Sequence, residues 1–420
     1  MKNRAAFFIA LRYLWARAHE GGRYLRGAAA GIAVSLIPII VTLIVADGMI
    51  KGITDRYIEL GTGHIQVYET MYNGYTEAVN KINGIDGVKG VWQERRGMGV
   101  IAGRSGKTGV TVRSIESSFW DDKGSFQFLK IIDGAHKPET DRDIVLGETL
   151  AGNIGAKVGD TVRLMTVRNS EEGRFSPRMS SFTVRGIMSC GYNELDALWC
   201  IIDYEGGNRA FSNEQLSSSL IIKIEDPYRN SERFIYNLYT ELGSGYSFYT
   251  WKDLLLSQYS AYETSRQLLL FIMALIVVVA AVNVSSATSM LVLERQRDIA
   301  VLKISGADVS SVTQIFIIGS FLTGLIGSIT GIALGLLIGG NINILIRSLE
   351  NFLSFFSGLF NGEEVKILDP GFYLETIPII IDWNMVFLIG MFAVFCSVLA
   401  SWIPAIRAGK LKPMELIRKT

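Results

Sequence analysis

LLLFIMALIVVVAAVNVSSATSMLVLERQRDIAVLKISGAD, residues 268–308, decides how this chain is built. Leu268–Leu293 is uncharged and long enough to cross about 30 Å of hydrocarbon as a helix. Charges then crowd into Glu294, Arg295, Arg297, Asp298 and Lys303, and Ser305-Gly306-Ala307 follows. Gly306 suits a helix stop and Asp308 a helix start, because glycine tolerates positive φ and a short carboxylate accepts from free N–H groups. Directly after Asp308 a second apolar run begins, Val309–Ile346. Two spans joined by a short, amphipathic, doubly charged turn is the reading. Working outward, Ala28–Ala46 (AAAGIAVSLIPIIVTLIVA) and Met385–Ile406 supply two further blocks. A buried core helix explains one such block, but four of this length require a bilayer. Pro38 and Pro404 are compatible with that, since membrane helices tolerate proline where neighbours satisfy the freed carbonyls.

Composition agrees. Of 420 residues, 49% are hydrophobic and 19% charged, below the roughly 25% usual for soluble domains. Lys+Arg 41 nearly cancels Asp+Glu 40, which argues against an electrostatic nucleic-acid binder. Basic residues nevertheless gather at Lys2, Arg4, Arg12, Arg17, Arg23 and Arg26, and again at Arg407, Lys410, Lys412, Arg418 and Lys419. By the positive-inside rule both termini and the 294–308 turn are expected in the cytoplasm, with 47–267 and 347–384 outside. The first block is too long for a signal-peptide core and is expected to stay as an anchor. Phe7, Phe8, Leu11, Leu14 and Trp15 recur at helical spacing, so 1–27 is expected as an interfacial amphipathic helix, with packing on a cytosolic partner as the lesser alternative.

The expected fold is an α-helical membrane protein with four transmembrane helices, at 28–46, 268–293, 309–346 and 385–406, and a cytoplasmic tail at 407–420. A large α+β extracytoplasmic domain, 47–267, is inserted between the first two. Strands are predicted at 64–68, 88–91, 109–113 and 161–166, helices at 76–82 and 230–242, in two subdomains.

Catalytic constellations are missing. Gly103-Arg104-Ser105-Gly106-Lys107-Thr108 imitates a phosphate loop, but Ile101 occupies the position of the first glycine and a strand follows, so a hairpin turn is expected. His19, His64 and His136 lack ligand spacing, and no metal site is expected. Asp121-Asp122 reads as a solvated turn. Cys190 and Cys200 are either a small disulfide loop or two buried thiols, and Cys396 is span packing. The stretch TVRNSEEGRFSPRMSSFT, 166–183, holds Arg174, Phe175, Pro177 and Arg178 between two strands, which suits either a docking tip or a mobile hairpin.

AAVNVSSATSMLVLERQRDIAVLKISGADVSSVTQIFIIGSFLTGLIGSITGIALG and FYLETIPIIIDWNMVFLIGMFAVFCSVLASWIPAIRAGKLKPMELIR closely resemble the LolC/LolE permeases of lipoprotein-releasing ABC transporters. DIVLGETLAGNIGAKVGDTVRLM and GIMSCGYNELDALWCII are similar to segments of that family's outer domain, and the 294–307 turn is shared more loosely across the MacB/FtsX superfamily. The resemblance implies a non-catalytic permease subunit of a bacterial inner membrane. It implies two permease protomers, as a homo- or heterodimer, on separate LolD-like ABC ATPase subunits that bind ATP and Mg, with no cofactor in this chain. It implies lipoprotein substrates handed to a LolA-like periplasmic carrier. ATPase coupling then falls to Glu294, Arg295, Arg297, Asp298, Ile299, Val301, Leu302 and Lys303. A lipoprotein cavity is expected from Val45, Met49, Ile50, Leu268, Leu269 and Ile272, apolar residues at the outer ends of the first two spans. Carrier docking is expected from Arg174, Phe175, Pro177 and Arg178. A MacB-like mechanotransducing exporter, which normally carries a fused ATPase, or an FtsX-like regulator of cell-wall hydrolases, with a smaller outer domain, are the alternatives.

Overall fold

The computed structural model describes residues 8–10, 22–70, 75–169, 175–211, 217–360, 374 and 376–411. Most of the expected interfacial helix at 1–27, the 412–420 tail and much of 361–375 lie outside the described residues. Along the chain run α1 (Gly22–Arg56), β1 (Ile65–Glu69), α2 (Tyr75–Asn83), β2 (Val88–Ala102), β3 (Lys107–Ile115), β4 (Lys130–Gly134) and β5 (Asp143–Gly147). Then come α3 (Glu148–Ile154), β6 (Thr161–Asn169), β7 (Phe175–Ser189), β8 (Trp199–Asp203), β9 (Ser217–Ile224), α4 (Pro227–Leu242) and β10 (Tyr246–Thr250). They are followed by α5 (Leu256–Glu294), α6 (Gln296–Ile304), α7 (Val309–Gly340), α8 (Ile342–Phe360) and α9 (Trp383–Lys410). The chain divides into two compact units, one of residues 1–48, 263–363 and 377–420, the other of 49–262 and 364–376.

In the helical unit, α1, α5, α7 and α9 are the helices long and apolar enough to cross a membrane among the described residues. α1, α5 and α9 each contain one of the uncharged blocks and run beyond it at both ends, while α7 covers most of the remaining block. The third block ends early: α7 stops at Gly340, not Ile346, and α8 starts within the stretch expected to be span and loop. Gly339 and Gly340 are weak helix formers. Asn341 then turns its side-chain amide back to the Leu337 carbonyl at 2.8 Å, which ends the backbone ladder.

Close approach of backbones holds these helices together. Along α7, Gly327, Gly331, Gly335 and Gly339 lie against Ile32, Ala33, Ile40 and Ile44 of α1. A Cβ on Gly331 would stand 2.8 Å from the Cα of Ala33. Hydrophobicity does not drive association in lipid, so contact area won through small residues does. Hydroxyls add to it: Thr288 and Ser320 meet at 3.1 Å, and Ser397 donates to the Ser320 carbonyl at 3.0 Å.

The second unit is built on a ten-stranded mixed sheet ordered β10-β1-β9-β2-β3-β8-β5-β7-β4, with β6 pairing β2 and β7. The pairs β3/β8 and β5/β7 are parallel and the others antiparallel. One sheet runs through the region expected as two subdomains, and two of its apolar cores lie at different stretches of it. Ile101, Val112, Leu146, Leu150 and Phe182 form one with α3. Ile65, Ile222, Ala78 and Leu238 form the other with α2 and α4. Strand β2 joins both because it is far longer than the predicted 88–91.

Three smaller expectations resolve here. Residues 103–106 turn between β2 and β3, with the Gly103 N–H donating to the Gly106 carbonyl at 3.0 Å. Cys190 and Cys200 are buried free thiols, the latter pushed up to about 12 by burial. Asp122 is not a solvated turn residue: it accepts from the Gly124 and Ser125 N–H groups at 3.3 and 2.9 Å and faces Lys223 at 3.5 Å.

Candidate functional site

The turn after α5 has an anchored face and a bare one. Arg295 leaves the helical conformation and pairs with Asp298 at 3.1 Å. Ile299 and Ala300 are buried, Ile299 against Leu25, Leu291, Val312 and Phe316. Leu302 points inward beside Ile315 and Leu322, and Lys303 donates to the Leu411 carbonyl at 2.6 Å, just past the end of α9. Gly306 at φ 92° stops α6, and Asp308 accepts from the Ser311 N–H at 3.0 Å to start α7. Outward stand Glu294, Arg297, Val301 and Ile304, followed by the exposed Ser305, Gly306 and Asp308. Val301 and Ile304 are 63% and 65% exposed, apolar groups left in the open by a helix otherwise well seated. Ile304 is absent from the residues predicted for coupling. Its signal was the 297, 301, 304 spacing of one helical face.

Of the six predicted cavity residues, Leu268 and Ile272 stand outward on α5, while Leu269 turns into the helical core with Leu36 and Val277. Val45 is partly buried in the same unit. Met49 and Ile50 belong to the sheet unit, where Met49 packs on Ile53 and Leu60. Four of the six thus belong to the helical unit and two to the sheet unit. Beside them lies a feature the sequence did not signal: Arg266 of α5 donates to Asp47 of α1 at 2.8 and 3.2 Å and meets Asp382, the α9 cap, at 3.5 Å. These charges bring three of the spanning helices to a common level. Gly48 lies against the Pro378 carbonyl, too close for any side chain.

The stretch 166–183 is an antiparallel hairpin of β6 and β7, in register from Thr161 with Thr183 to Asn169 with Phe175. Pro177 pairs with Val167, and Arg178 reaches the Phe211 carbonyl at 3.4 Å. Arg174 and the Phe175 side chain lie outside the described residues.

At the end of α1 the helix widens into a π-turn, Tyr57–Thr62, whose carbonyls take donors from the sheet. Arg113 donates to Leu60, Arg96 to Gly61, Lys223 to Glu59 at 2.8 Å and Gln66 to Thr62 at 2.7 Å. Lys223 also pairs with the Glu59 carboxylate, which His64 meets at 3.0 Å. Glu94, fully buried, holds Arg113 at 2.7 Å through both oxygens and Arg96 at 2.6 Å. Burial alone would raise its carboxyl, yet the two guanidiniums hold it down to about 2. Among the described residues no cluster of His, Cys, Asp and Glu is arranged to hold a metal.

The MacB-like periplasmic core domain family matches residues 27–231, and the FtsX-like permease C-terminal family matches residues 270–413. The lipoprotein-releasing system transmembrane protein LolC of Neisseria meningitidis serogroup B is 27% identical over 425 residues, 98% of this chain and 98% of that one. LolE of Haemophilus influenzae is 25% identical over 313 residues, 73% of this chain and 72% of that one. Among solved structures, the periplasmic region of MacB from Actinobacillus actinomycetemcomitans has a TM-score of 0.32 at 16% identity, covering 48% of this chain and 94% of that one. MacB-like and FtsX-like domain matches in succession, with LolC relatives aligned from end to end, show that LolC/LolE-type permeases are homologues of this chain.

Proposed function

We propose that this chain is the permease subunit of an ATP-driven system that lifts acylated lipoproteins from the outer leaflet of the inner membrane and passes them to a periplasmic carrier. In this reading the sheet unit is the extracytoplasmic domain between spans one and two, and both termini lie in the cytoplasm. The observation that carries the mechanism is α6, a nine-residue helix with one face sunk into the bundle and Arg297, Val301 and Ile304 on the other. A partner ATPase grips that face, and because Ile299, Leu302 and Lys303 tie it to α7 and the end of α9, movement of the partner reaches the spans directly. ATP and Mg stay with the partner. Each buried CH₂ of an acyl chain is worth about 0.8 kcal/mol, so removal to water needs an external energy source. Leu268 and Ile272 offer the apolar wall for that chain, a second protomer closes it, and the β6–β7 hairpin with Arg174, Phe175, Pro177 and Arg178 meets the carrier. Arg297→Glu with Val301→Asp should leave membrane insertion unchanged and reduce co-purification of the ATPase at least tenfold. Unchanged co-purification would defeat the proposal. Leu302 is a poor test site, since it faces inward and its loss would disturb packing.

A further inference from the structure

Helix α8 has no assigned role, and its side chains divide sharply. Ile344, Leu345, Leu349, Phe352 and Phe355 fall on one side, all at least 45% exposed. Arg347, Glu350, Asn351 and Ser354 fall on the other, and only Ser348 interrupts the apolar face. Large hydrophobics exposed together along one helix face make a surface that water disfavours and lipid suits.

Three observations say where that face lies. No charge interrupts α7 from Ile315 to Gly340, a run long enough to cross the hydrocarbon, and Asn341 alone separates α7 from α8, so α8 follows directly on a span. The first turn of α8 is pinned: Asn343 donates to the Ile377 carbonyl at 2.9 Å and accepts from the Ile377 N–H at 3.0 Å. Ile377 lies shortly before Asp382, a member of the charged Asp47–Arg266–Asp382 level that α1, α5 and α9 share. A charged level marks the water boundary of a bundle in lipid.

We infer that α8 is an interfacial helix, its Ile344/Leu345/Leu349/Phe352/Phe355 face buried among phospholipid headgroups and upper acyl chains on the membrane side opposite α6. Its polar face meets water. The inference rests on α7 spanning the membrane and not on the cargo. An amphipathic helix at this depth occupies area in one leaflet only, which loosens lipid packing beside the bundle.

The test uses the full chain with Cys396→Ser, in nanodiscs of phosphatidylethanolamine and phosphatidylglycerol. A bimane label is placed at Phe352→Cys in one preparation and at Arg347→Cys in another. Nitroxide at acyl carbon 5 should quench the label at 352 at least threefold more than the label at 347, and more than nitroxide at carbon 12 does. Aqueous iodide should reverse the order of the two sites. Equal iodide quenching at both sites would place the face in water and overturn the inference. Stronger quenching from carbon 12 would make α8 part of a span. Disulfide formation between copies through Phe352→Cys, with no lipid quenching, would assign the face to a second copy of this chain. A misfolded variant is recognised by loss of monodispersity, and Leu349→Cys on the same face then serves in its place.

Discussion

The sheet unit and the helical unit solve the same problem, holding α-carbons close, with opposite chemistry. The sheet unit buries formal charge: Glu94 sits between Arg96 and Arg113, and Lys223 beside Glu59. The helical unit buries apolar side chains, glycines and hydroxyls, and its Asp47–Arg266–Asp382 ion cluster is partly exposed. Solvation is the difference. A charge can be taken from water into a protein core if partners surround it, and the folded sheet supplies backbone carbonyls and carboxylates from several strands. In lipid no such reserve exists along a helix face, so contact is gained by removing side chains and not by adding charges.

The largest effect should come from breaking the charged core. Glu94→Ala leaves Arg113 buried without its carboxylate and should cost about 3–5 kcal/mol. The measurement is resistance of the sheet unit to pulse proteolysis in the full chain. The same pair sets a pH dependence. The Glu94 carboxyl is held at about 2, below its ordinary 4.5, so its contribution is complete above the ordinary value and is lost as pH falls towards 2. Stability that held level between pH 5 and 3 would show that the pair contributes nothing. An intermediate effect is expected in the helices: Gly331→Leu forces a side chain onto the Ala33 backbone and should lower the unfolding free energy in detergent by about 1–3 kcal/mol. Gly31→Ala, with open space around it, should be neutral or slightly stabilising in the same assay. The smallest is Ser320→Ala, which removes only the 3.1 Å contact with Thr288 and should cost about 0.6 kcal/mol. If that change cost as much as Glu94→Ala, the contrast between the units would collapse.

What the sequence disclosed follows the same division. Long apolar blocks and the Gly306–Asp308 punctuation were legible because length and local capping are one-dimensional signals. The break at Asn341 was not, since α8 continues the apolar run and differs only in how its side chains are distributed around an axis. Strand β2 exceeds the expected 88–91; Gly97 and Gly99 mask its alternation in the sequence. Gly97 lies against the Phe211 ring and Gly99 against the Met165 carbonyl, contacts set by distant chain. Asp122 looked solvated because Lys223, which it faces, comes a hundred residues later. In the turn after α5 the charged residues dominate the sequence signal, while Ile304, a plain hydrophobe, stands out only through its exposure in the folded helix.

The π-turn at Tyr57–Thr62 has a mechanical consequence. A helix end is ordinarily compliant, because its last carbonyls bind water and fray. Here each of the last four carbonyls is tied to a different strand: Glu59 to β9, Leu60 to β3, Gly61 to β2 and Thr62 to β1. A torque applied to the final turn of α1 is therefore spread over four adjacent strands at once, with no slack loop to absorb it. The sheet responds as a plate bolted at four points to a shaft, and the twist that reaches its rim is set by the stiffness of the ladder, not of the joint.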